Sequence, residues 1–356
     1  MKWACEFILL VLLCAALDAA QSCFEQPILM YYGAGDASAA VWLSKNLFIV
    51  ANDENNVLRI YRTTQGGMPV SSRNLTEFLD VDPEHPEADI EGAARINNRI
   101  FWITSHGRNK NGKIREARHR FFATDIRIEN NEVNIEPVGT SCKTLAHSLI
   151  RADTLQSLLL DKATSFAVME SKRLAPKESG LNIEALCACA DGKIMYIGFR
   201  NPRPGGKALV VPLKNPGEVV EKAALPIFGQ PLLWNFNGLG IRSMEYSQFH
   251  KAYFIIAGPH NGDGGFYLYR WSGQEDTSPK LERQICSQIH KFTPEALVCF
   301  KESQKLFVLS DDDALEVEIS DSRECLPGEI LNNGKCLNKH LRNPAKRHFR
   351  ATWLKP

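Results

Sequence analysis

The sequence predicts an all-β protein folded as a β-propeller, most simply with five four-stranded blades around a central channel. Two observations predict this fold. Short runs rich in Val, Ile, Phe and Tyr lie between turn residues, which is typical of β-strands. Five segments also share one layout: a short acidic start, an apolar stretch, a turn, a strongly apolar strand, a polar loop and another apolar strand.

The repeat units are recognised by their first strands, and outside one insertion they average about 49 residues, close to known propeller periods. Each unit supplies three strands, and segments such as 132–138 and 280–287 supply a fourth, as in a propeller blade. The last unit takes its third strand from ALEVEI (314–319). The five units begin with GDASAAVWL (35–43), DIEGAARI (89–96), NIEALCA (182–188), RSMEYS (242–247) and PEALVCF (294–300).

Segment 139–179 interrupts the repeat after the second blade. Its leucines have helical spacing, which predicts a partly helical insertion, and a degenerate sixth blade is the alternative. The last unit lacks a fourth strand, so we expect EQPILMYY (25–32) to close the ring from outside. The propeller then spans 23–320, and 321–356 forms a Cys-containing loop and a loosely held basic tail. The leucines expected to share a helical face are Leu145, Leu149, Leu155, Leu158 and Leu159.

Residues 1–22 are typical of a secretory signal peptide, with a positive start, an apolar run over 7–17 and small residues before the cleavage point. This predicts an exported protein, periplasmic or secreted, and a lipoprotein anchored through Cys23 is the alternative. Export permits disulfides, and we expect one between Cys325 and Cys336, which flank a short loop. No later apolar run is long enough for a transmembrane helix.

The charge balance excludes one class of partner. The chain has 42 Lys and Arg against 41 Asp and Glu, a formal charge of +1. A general electrostatic attraction to nucleic acid is therefore not expected, and no basic block interleaved with aromatic residues occurs. We expect a monomer whose ligand is an anionic small molecule.

Propeller geometry predicts where the chemistry lies. The first strand of each blade lines the channel and the second returns antiparallel, so first-strand starts and second-strand ends share one face. The first-strand starts carry the candidate metal ligands Glu91, Glu184, Glu245 and Glu295, with Asp36 as a weak fifth. The second-strand ends carry the candidate catalytic residues His106, Arg200 and His260, and the candidate ligand-binding residues, which with Asp36 are Asp53, Arg108, Asn201, Asn261, Asp311 and Asp312.

Several carboxylates facing one channel cannot all stay charged without compensation, because like charges raise one another's pKa. A hard divalent cation such as Ca²⁺ is one solution. Ion pairs with Arg108, Arg200 and Arg242 are a second, and a water-filled mouth with protonated carboxyls is a third. A bound cation beside Arg200 would attract an anionic ligand, and His106 or His260 would then move a proton during hydrolysis.

The sequence also resembles a known family. The motifs DIEGAA, RSMEY, PEAL…LFVLSDDD and the block from GLNIEAL to GKALVVPL (180–213) resemble an uncharacterised bacterial family of exported proteins, a domain of unknown function. The resemblance covers 36–320 and implies a propeller fold. That family is similar in general plan to the phytase-like esterase propellers, in which acidic residues at the channel mouth bind calcium. The resemblance names no catalytic residue of this chain.

Three functions stay open at this point. A metal-dependent hydrolase of a phosphoester or another ester is indicated by the ring of glutamates with His106, Arg200 and His260. A non-catalytic module that binds an anionic small molecule or an envelope partner is favoured by the lack of a recognised nucleophile motif. In a purely structural scaffold, Glu–Arg pairs would only hold the blades together.

Overall fold

In a computed structural model, which describes residues 26–129, 132–262, 264–285 and 291–356, the chain is a five-bladed β-propeller. Each blade is a four-stranded antiparallel sheet. The expected five blades are confirmed, and the alternative of six is wrong because the insertion forms no sheet of its own within the described residues. The predicted signal peptide (1–22) and Cys23 lie outside the described residues.

The first four blades follow chain order from the channel outwards. The strands of blade 1 are Ala39–Ser44, Leu47–Asn52, Asn55–Arg62 and Ser71–Asn74. Those of blade 2 are Ile90–Ile96, Arg99–Thr104, Phe121–Glu129 and Glu132–Cys142. Those of blade 3 are Asn182–Ala188, Met195–Asn201, Ala208–Leu213 and Leu232–Trp234. Those of blade 4 are Gly240–Ser247, Ala252–Gly258, Phe266–Trp271 and Lys280–Ile285.

Blade 5 joins the two ends of the described chain. Its strands, from the channel outwards, are Pro294–Cys299, Leu306–Ser310, His348–Leu354 and Leu29–Tyr32. The expectation that the N-terminal strand closes the ring is confirmed. The expected third strand at 314–319 is wrong, because Glu316–Val317 pairs instead with Cys336–Leu337 in a small hairpin.

The C-terminal segment is therefore part of the propeller, and the predicted boundary at residue 320 is corrected. Strand His348–Leu354 alternates in burial, with Phe349 and Ala351 inside, so it fits between two strands of blade 5. Tyr31 stacks on Phe349 with ring centroids 5.2 Å apart, which ties the first strand to the last. The segment forms a strand and not a loosely held tail.

Short helices lie outside the blades. The insertion packs on blades 2 and 3, and its leucines at 145, 149, 155 and 158 are buried as expected. Leu159 is exposed, because the backbone there is left-handed (φ 59°) and turns the side chain away. The α-helices are Thr76–Leu79, Leu145–Arg151, Leu160–Thr164 and Pro216–Glu221, with 3-10 turns at Glu116–Arg118, Asp153–Leu158, Lys172–Leu174, Pro204–Gly206, Ser322–Glu324, Asn338–His340 and Pro344–Lys346.

The hydrophobic core is divided among the junctions between blades. Each pair of neighbouring blades encloses one apolar cluster, so the core forms five wedges around the channel. Second strands such as Ala252–Gly258 are buried throughout, whereas outer strands such as Lys280–Ile285 are largely exposed. Burying each large apolar side chain contributes about 1.5–3 kcal/mol, so the wedges hold the blades in place.

The predicted disulfide between Cys325 and Cys336 is present. It closes a loop over 325–336. Asn338, just after this loop, is buried and donates hydrogen bonds to Gly35 O, Asp312 O and His348 O. Cys187 is buried and unpaired. No helix among the described residues is both long and apolar enough to cross a membrane.

Candidate functional site

A β-bulge opens the first strand of four blades and turns a charged side chain into the channel. The pairing register with the second strand shifts at Glu91, Glu184, Arg242 and Glu295. In blade 1 the equivalent position is Ser38, which directly precedes the pair formed by Ala39. Because a bulge leaves its extra residue unpaired and redirects its side chain, these residues converge at the channel.

Glu245 does not belong to this set, so its predicted alignment with the other three glutamates is wrong. It pairs with Phe254, three residues beyond the bulge that Arg242 occupies. Its carboxyl is buried further along the channel, and burial alone raises its pKa well above the ordinary value. Glu245 shares the residue type of the other three glutamates but not their register in the strand.

Three bulge residues and Arg200, from the second strand of blade 3, form an arginine-paired cluster, which consists of Glu184, Glu295, Arg200 and Arg242. Arg200 Nη1 donates to Glu184 Oε1 at 2.6 Å, and Arg242 Nη1 lies 2.9 Å from Glu184 Oε2. Arg242 also pairs with both oxygens of Glu295. Burial raises the pKa of Glu295 to about 7 although Arg242 opposes this shift. The expected Glu–Arg pairing is thus present in this part of the mouth.

Glu91 faces the arginine-paired cluster but has no partner of its own. Its carboxylate can bring an oxygen within 4.8 Å of oxygens of Glu184 and Glu295. The side chain is only 9% exposed, and the described residues give it no hydrogen bond and no ion pair. Burial, followed by the charges of Asp89 and Glu184, raises its pKa well above the ordinary value.

Glu91 also ends a contiguous carboxylate row that crosses the mouth towards blade 5. Three further groups have oxygens within 4.8 Å of one another, and each shares a member with the next. The row is therefore continuous from blade 5 through blade 1 to blade 2. In order, its members are Asp311, Asp36, Asp313, Glu54, Asp53, Asp89 and Glu91.

Few cations compensate the carboxylate row. Arg118 Nη1 pairs with Asp89 at 2.9 Å, and Lys339 Nζ donates to Glu54 at 2.9 Å. No ion pair within the described ranges reaches the remaining five members of the row, which include Glu91 and Asp313. Burial, followed by the charge of Asp311, raises the pKa of Asp313 to about 8.

The donor set of the row fits a hard divalent cation. All its ligands are carboxylate oxygens, which Ca²⁺ prefers, and they come from several loops, as its flexible six- to eightfold coordination requires. Asp53 Oδ1 is buried without a hydrogen-bond partner in the described chain. Gly35 permits the crowding, since a Cβ there would collide with Asp313 Oδ1. The row can therefore bind a cation in place of the missing positive side chains.

Three other predicted ligand-binding residues have structural partners. The guanidinium of Arg108 donates to carbonyls of the insertion, including Thr164 O at 3.0 Å and Val168 O at 2.8 Å. Asn201 Nδ2 donates to Pro176 O at 2.9 Å, which fixes the chain leading into blade 3. Asp312 accepts two hydrogen bonds from Arg350, each 2.8 Å long, which bind the third strand of blade 5.

The two predicted catalytic histidines lie in different surroundings. His106 is buried, and its Nδ1 donates to Thr104 O at 2.8 Å. Burial lowers the pKa of His106 to about 4, and its ring lies 5.5 Å from that of His119 under the insertion. His260 is half-buried, and burial and then Arg203 and Arg200 lower its pKa. His260 is therefore the histidine that lies beside an arginine of the mouth, with the exposed Asn261 next to it.

Several members of the site are not among the residues that the sequence motifs predict. Asp89 opens the DIEG motif two residues before Glu91, and Asp313 directly follows the candidate residues Asp311 and Asp312. Both were visible as repeated acidic residues at strand ends. Lys339 and Arg118 gave no signal, because the residues they pair with lie far away in sequence.

Comparisons with known proteins give the family of the chain. A family described as "Protein of unknown function (DUF3616)" matches residues 36–305, and no curated protein matches the sequence. A Myxococcus xanthus glutaminyl cyclase is 10% identical over 80% of this chain and 89% of that chain, with a TM-score of 0.41. The PQQ-bound aldose sugar dehydrogenase of Streptomyces coelicolor is 8% identical over 93% and 100% of the two chains, with a TM-score of 0.42. At such identities we take no function from these proteins.

Proposed function

The chain belongs to the DUF3616 family of proteins of unknown function, and from its channel mouth we propose that it is a calcium-dependent hydrolase of phosphoesters or other esters. In this proposal Ca²⁺ binds to the carboxylate row, and the anionic substrate binds to the cation. The proposed enzyme is exported, as the N-terminal sequence predicts.

The observation that supports the cation is the isolation of Glu91. A buried carboxylate without hydrogen bonds or a counter-ion is strongly unfavourable, and it must either take up a proton or find a cation. Asp53 and Asp89 can each place an oxygen within 4.8 Å of Glu91, so a cation there has three carboxylate ligands. A proton neutralises one carboxylate, whereas a divalent cation offsets two charges of the row at once.

The chemistry follows from the groups around the row. A bound Ca²⁺ would polarise a phosphoryl or carbonyl oxygen of the substrate. Arg200, whose Nε is buried without a hydrogen-bond partner, attracts the negative charge of the substrate from the opposite side of the mouth. We assign to His260 the removal of a proton from the water that attacks the ester, because its lowered pKa leaves the imidazole neutral and able to accept that proton at neutral pH, and to pass it to the leaving alcohol.

A structural role is proposed for the arginine-paired cluster. Arg242 of blade 4 contacts Glu184 of blade 3 and Glu295 of blade 5, so its guanidinium links three blades around the channel. These two glutamates already have a cation, in contrast to Glu91. The scaffold hypothesis therefore applies to Arg242 and its two glutamates, and the cation hypothesis to the carboxylate row.

Turnover separates the hydrolase from a non-catalytic module that binds an anionic ligand. Metal-stripped protein would be assayed on 4-nitrophenyl phosphate, bis(4-nitrophenyl) phosphate and 4-nitrophenyl acetate, with Ca²⁺ or with excess EGTA. We expect turnover with Ca²⁺ that is lost in EGTA and in Glu91→Gln, and that persists in Glu245→Gln. His260→Gln should lower kcat about 100-fold and leave Ca²⁺ binding intact. Ca²⁺ binding without turnover of any substrate would contradict the hydrolase and leave the binding module.

A further inference from the structure

A separate cavity of about 770 Å³ lies between blades 1 and 5, on the face opposite to the carboxylate row. It is lined by the turn between the first two strands of each of these blades, whereas the carboxylate row lies where those first strands begin. Its volume is within the range of sites for small-molecule ligands. Neither the proposed cation nor the proposed hydrolysis uses this cavity.

Aromatic rings form one part of the cavity lining. Trp42 and Trp353 are half-buried, and the ring of Trp353 packs 5.4 Å from that of Phe300, which also lines the cavity. Trp42 is held by Arg95, whose guanidinium lies 4.3 Å from the indole centroid and donates to Trp42 O and Leu43 O. Arg95 lines a neighbouring cavity and not this one, so it supports the indole from the other side.

The polar part of the lining contains a hydroxyl that has no protein partner. Thr63 is only 5% exposed and lines the cavity, and its hydroxyl has no hydrogen-bond partner among the described residues. Its oxygen can therefore donate and accept hydrogen bonds with a ligand that enters the cavity. Further neutral donors and acceptors in the lining are Ser44, Asn46 and Thr64.

The charges of the lining argue against an ionic ligand. Lys45, Lys301 and Glu302 are exposed and of both signs, so they set up no single-sign field. The lining thus combines flat aromatic rings with neutral groups that both donate and accept hydrogen bonds. Sugar rings match this combination, since their C–H faces pack on aromatic rings and their hydroxyls both donate and accept.

We propose that this cavity binds a short neutral oligosaccharide, with Trp42 and Trp353 packing on sugar rings and Thr63 hydrogen-bonded to a sugar hydroxyl. This site is independent of the cation at the opposite mouth. A proline-rich peptide is the rival occupant, because such peptides also dock on aromatic grooves, and the test includes it.

The test titrates the protein, in EGTA, with malto-, cello- and chito-oligosaccharides of two to four units and with a polyproline peptide. Calorimetry and tryptophan fluorescence report binding. We expect saturable binding of at least one saccharide series, a loss of about tenfold or more in affinity in Thr63→Val, and a larger loss in Trp42→Leu. Two control variants should bind as the wild type does: Glu91→Gln, and Phe249→Ala, which removes an exposed aromatic ring outside the cavity.

The outcomes are decisive in both directions. Thermal melts establish whether each variant is folded. If Trp42→Leu does not fold, the result for the near-isosteric Thr63→Val decides whether the proposal holds. The proposal is overturned if no saccharide binds up to about 10 mM, a concentration that would reveal even millimolar affinity. It is equally overturned if binding is unchanged in Thr63→Val, or if only the peptide binds and Thr63→Val weakens that binding.

Discussion

The arginine-paired cluster and the carboxylate row occupy the same mouth and carry the same kind of charge, yet they differ in how that charge is compensated. Glu184, at 2% exposure, has Arg200 at 2.6 Å and Arg242 at 2.9 Å. Glu91, at 9% exposure, has neither a cation nor a hydrogen bond within the described chain. The arginine-paired cluster has its negative charges compensated by arginines of the folded chain, whereas the carboxylate row lacks compensating positive charge.

The order of the blades explains the difference. Around the ring, the bulge positions carry Ser38, Glu91, Glu184, Arg242 and Glu295 in turn. Arg242 therefore stands between two glutamates and pairs with both. Glu91 stands between a neutral serine and a glutamate, so the fold provides it with no cation. The same bulge thus places a charged side chain either in an ion-pair network, as at Arg242, or beside no counter-ion, as at Glu91. The residues of the adjacent blades decide which.

The largest effect is expected from removing the shared cation of the arginine-paired cluster. Arg242→Met should lower the free energy of unfolding by about 3–5 kcal/mol, because it leaves Glu184 and Glu295 buried without their partner. Urea denaturation measures this change. Arg73→Met, at an exposed site on the outer strand of blade 1, should stay within about 0.5 kcal/mol. Equal effects of the two substitutions would refute the structural role of the cluster.

In metal-stripped protein, the carboxylate row should make stability fall as the pH rises. Burial raises the pKa of Asp313 to about 8 and raises those of Asp36 and Glu91 well above their ordinary values. A carboxyl whose pKa is higher in the folded chain stabilises it fully below the ordinary pKa of about 4, and this contribution is lost as the pH rises through the pKa of the folded state, which is about 8 for Asp313.

The free energy of unfolding should therefore decrease between pH 5 and pH 8, by up to about 1.4 kcal/mol per pH unit for each such carboxyl. Denaturation series at several pH values, with and without Ca²⁺, measure it. Saturating Ca²⁺ should flatten or reverse the decrease, because it binds the ionised carboxylates. Stripped protein that is more stable at pH 8 than at pH 5 would contradict an uncompensated row.

The smallest effect concerns the lysine at the edge of the row. Lys339 Nζ donates to Glu54, and its positive charge opposes a cation bound nearby. Lys339→Met should raise the affinity for Ca²⁺ about two- to fivefold, since a partly exposed charge contributes at most about 1 kcal/mol. Calorimetric titration measures the affinity. Lys335→Met removes a lysine of the adjacent disulfide-closed loop, where it pairs with Glu318, and it should leave the affinity unchanged.

Much of the fold was predictable because a propeller repeats its signals. Strand runs and turns recur, and Glu91, Glu184 and Glu295 were correctly placed at first-strand starts. The error at Glu245 arose because residue identity was followed instead of register. The triplets Ile241-Arg242-Ser243 and Ile90-Glu91-Gly92 both consist of an apolar, a charged and a small residue in that order. This pattern marks the bulge.

Contacts between distant segments could not be predicted from single motifs. The carbonyls that hold Arg108 come from about 60 residues away, and Arg350 joins blade 5 only because the last strand returns to the ring. The alternation in His348–Leu354 was a visible strand signal, but the basic residues around it suggested a tail. Pairing depends on which blades become neighbours, and this is known only when the ring has closed.

A thermal melt of metal-stripped protein with and without Ca²⁺ tests most directly the claim that the carboxylate row lacks a cation. A ligand that binds only the folded state stabilises it by about 2.7 kcal/mol at a hundred times its dissociation constant. We predict a saturable rise in Tm that is lost in Glu91→Gln and retained in Glu245→Gln, whose carboxyl lies apart from the row. No rise with Ca²⁺, or an equal rise in both variants, would contradict the account.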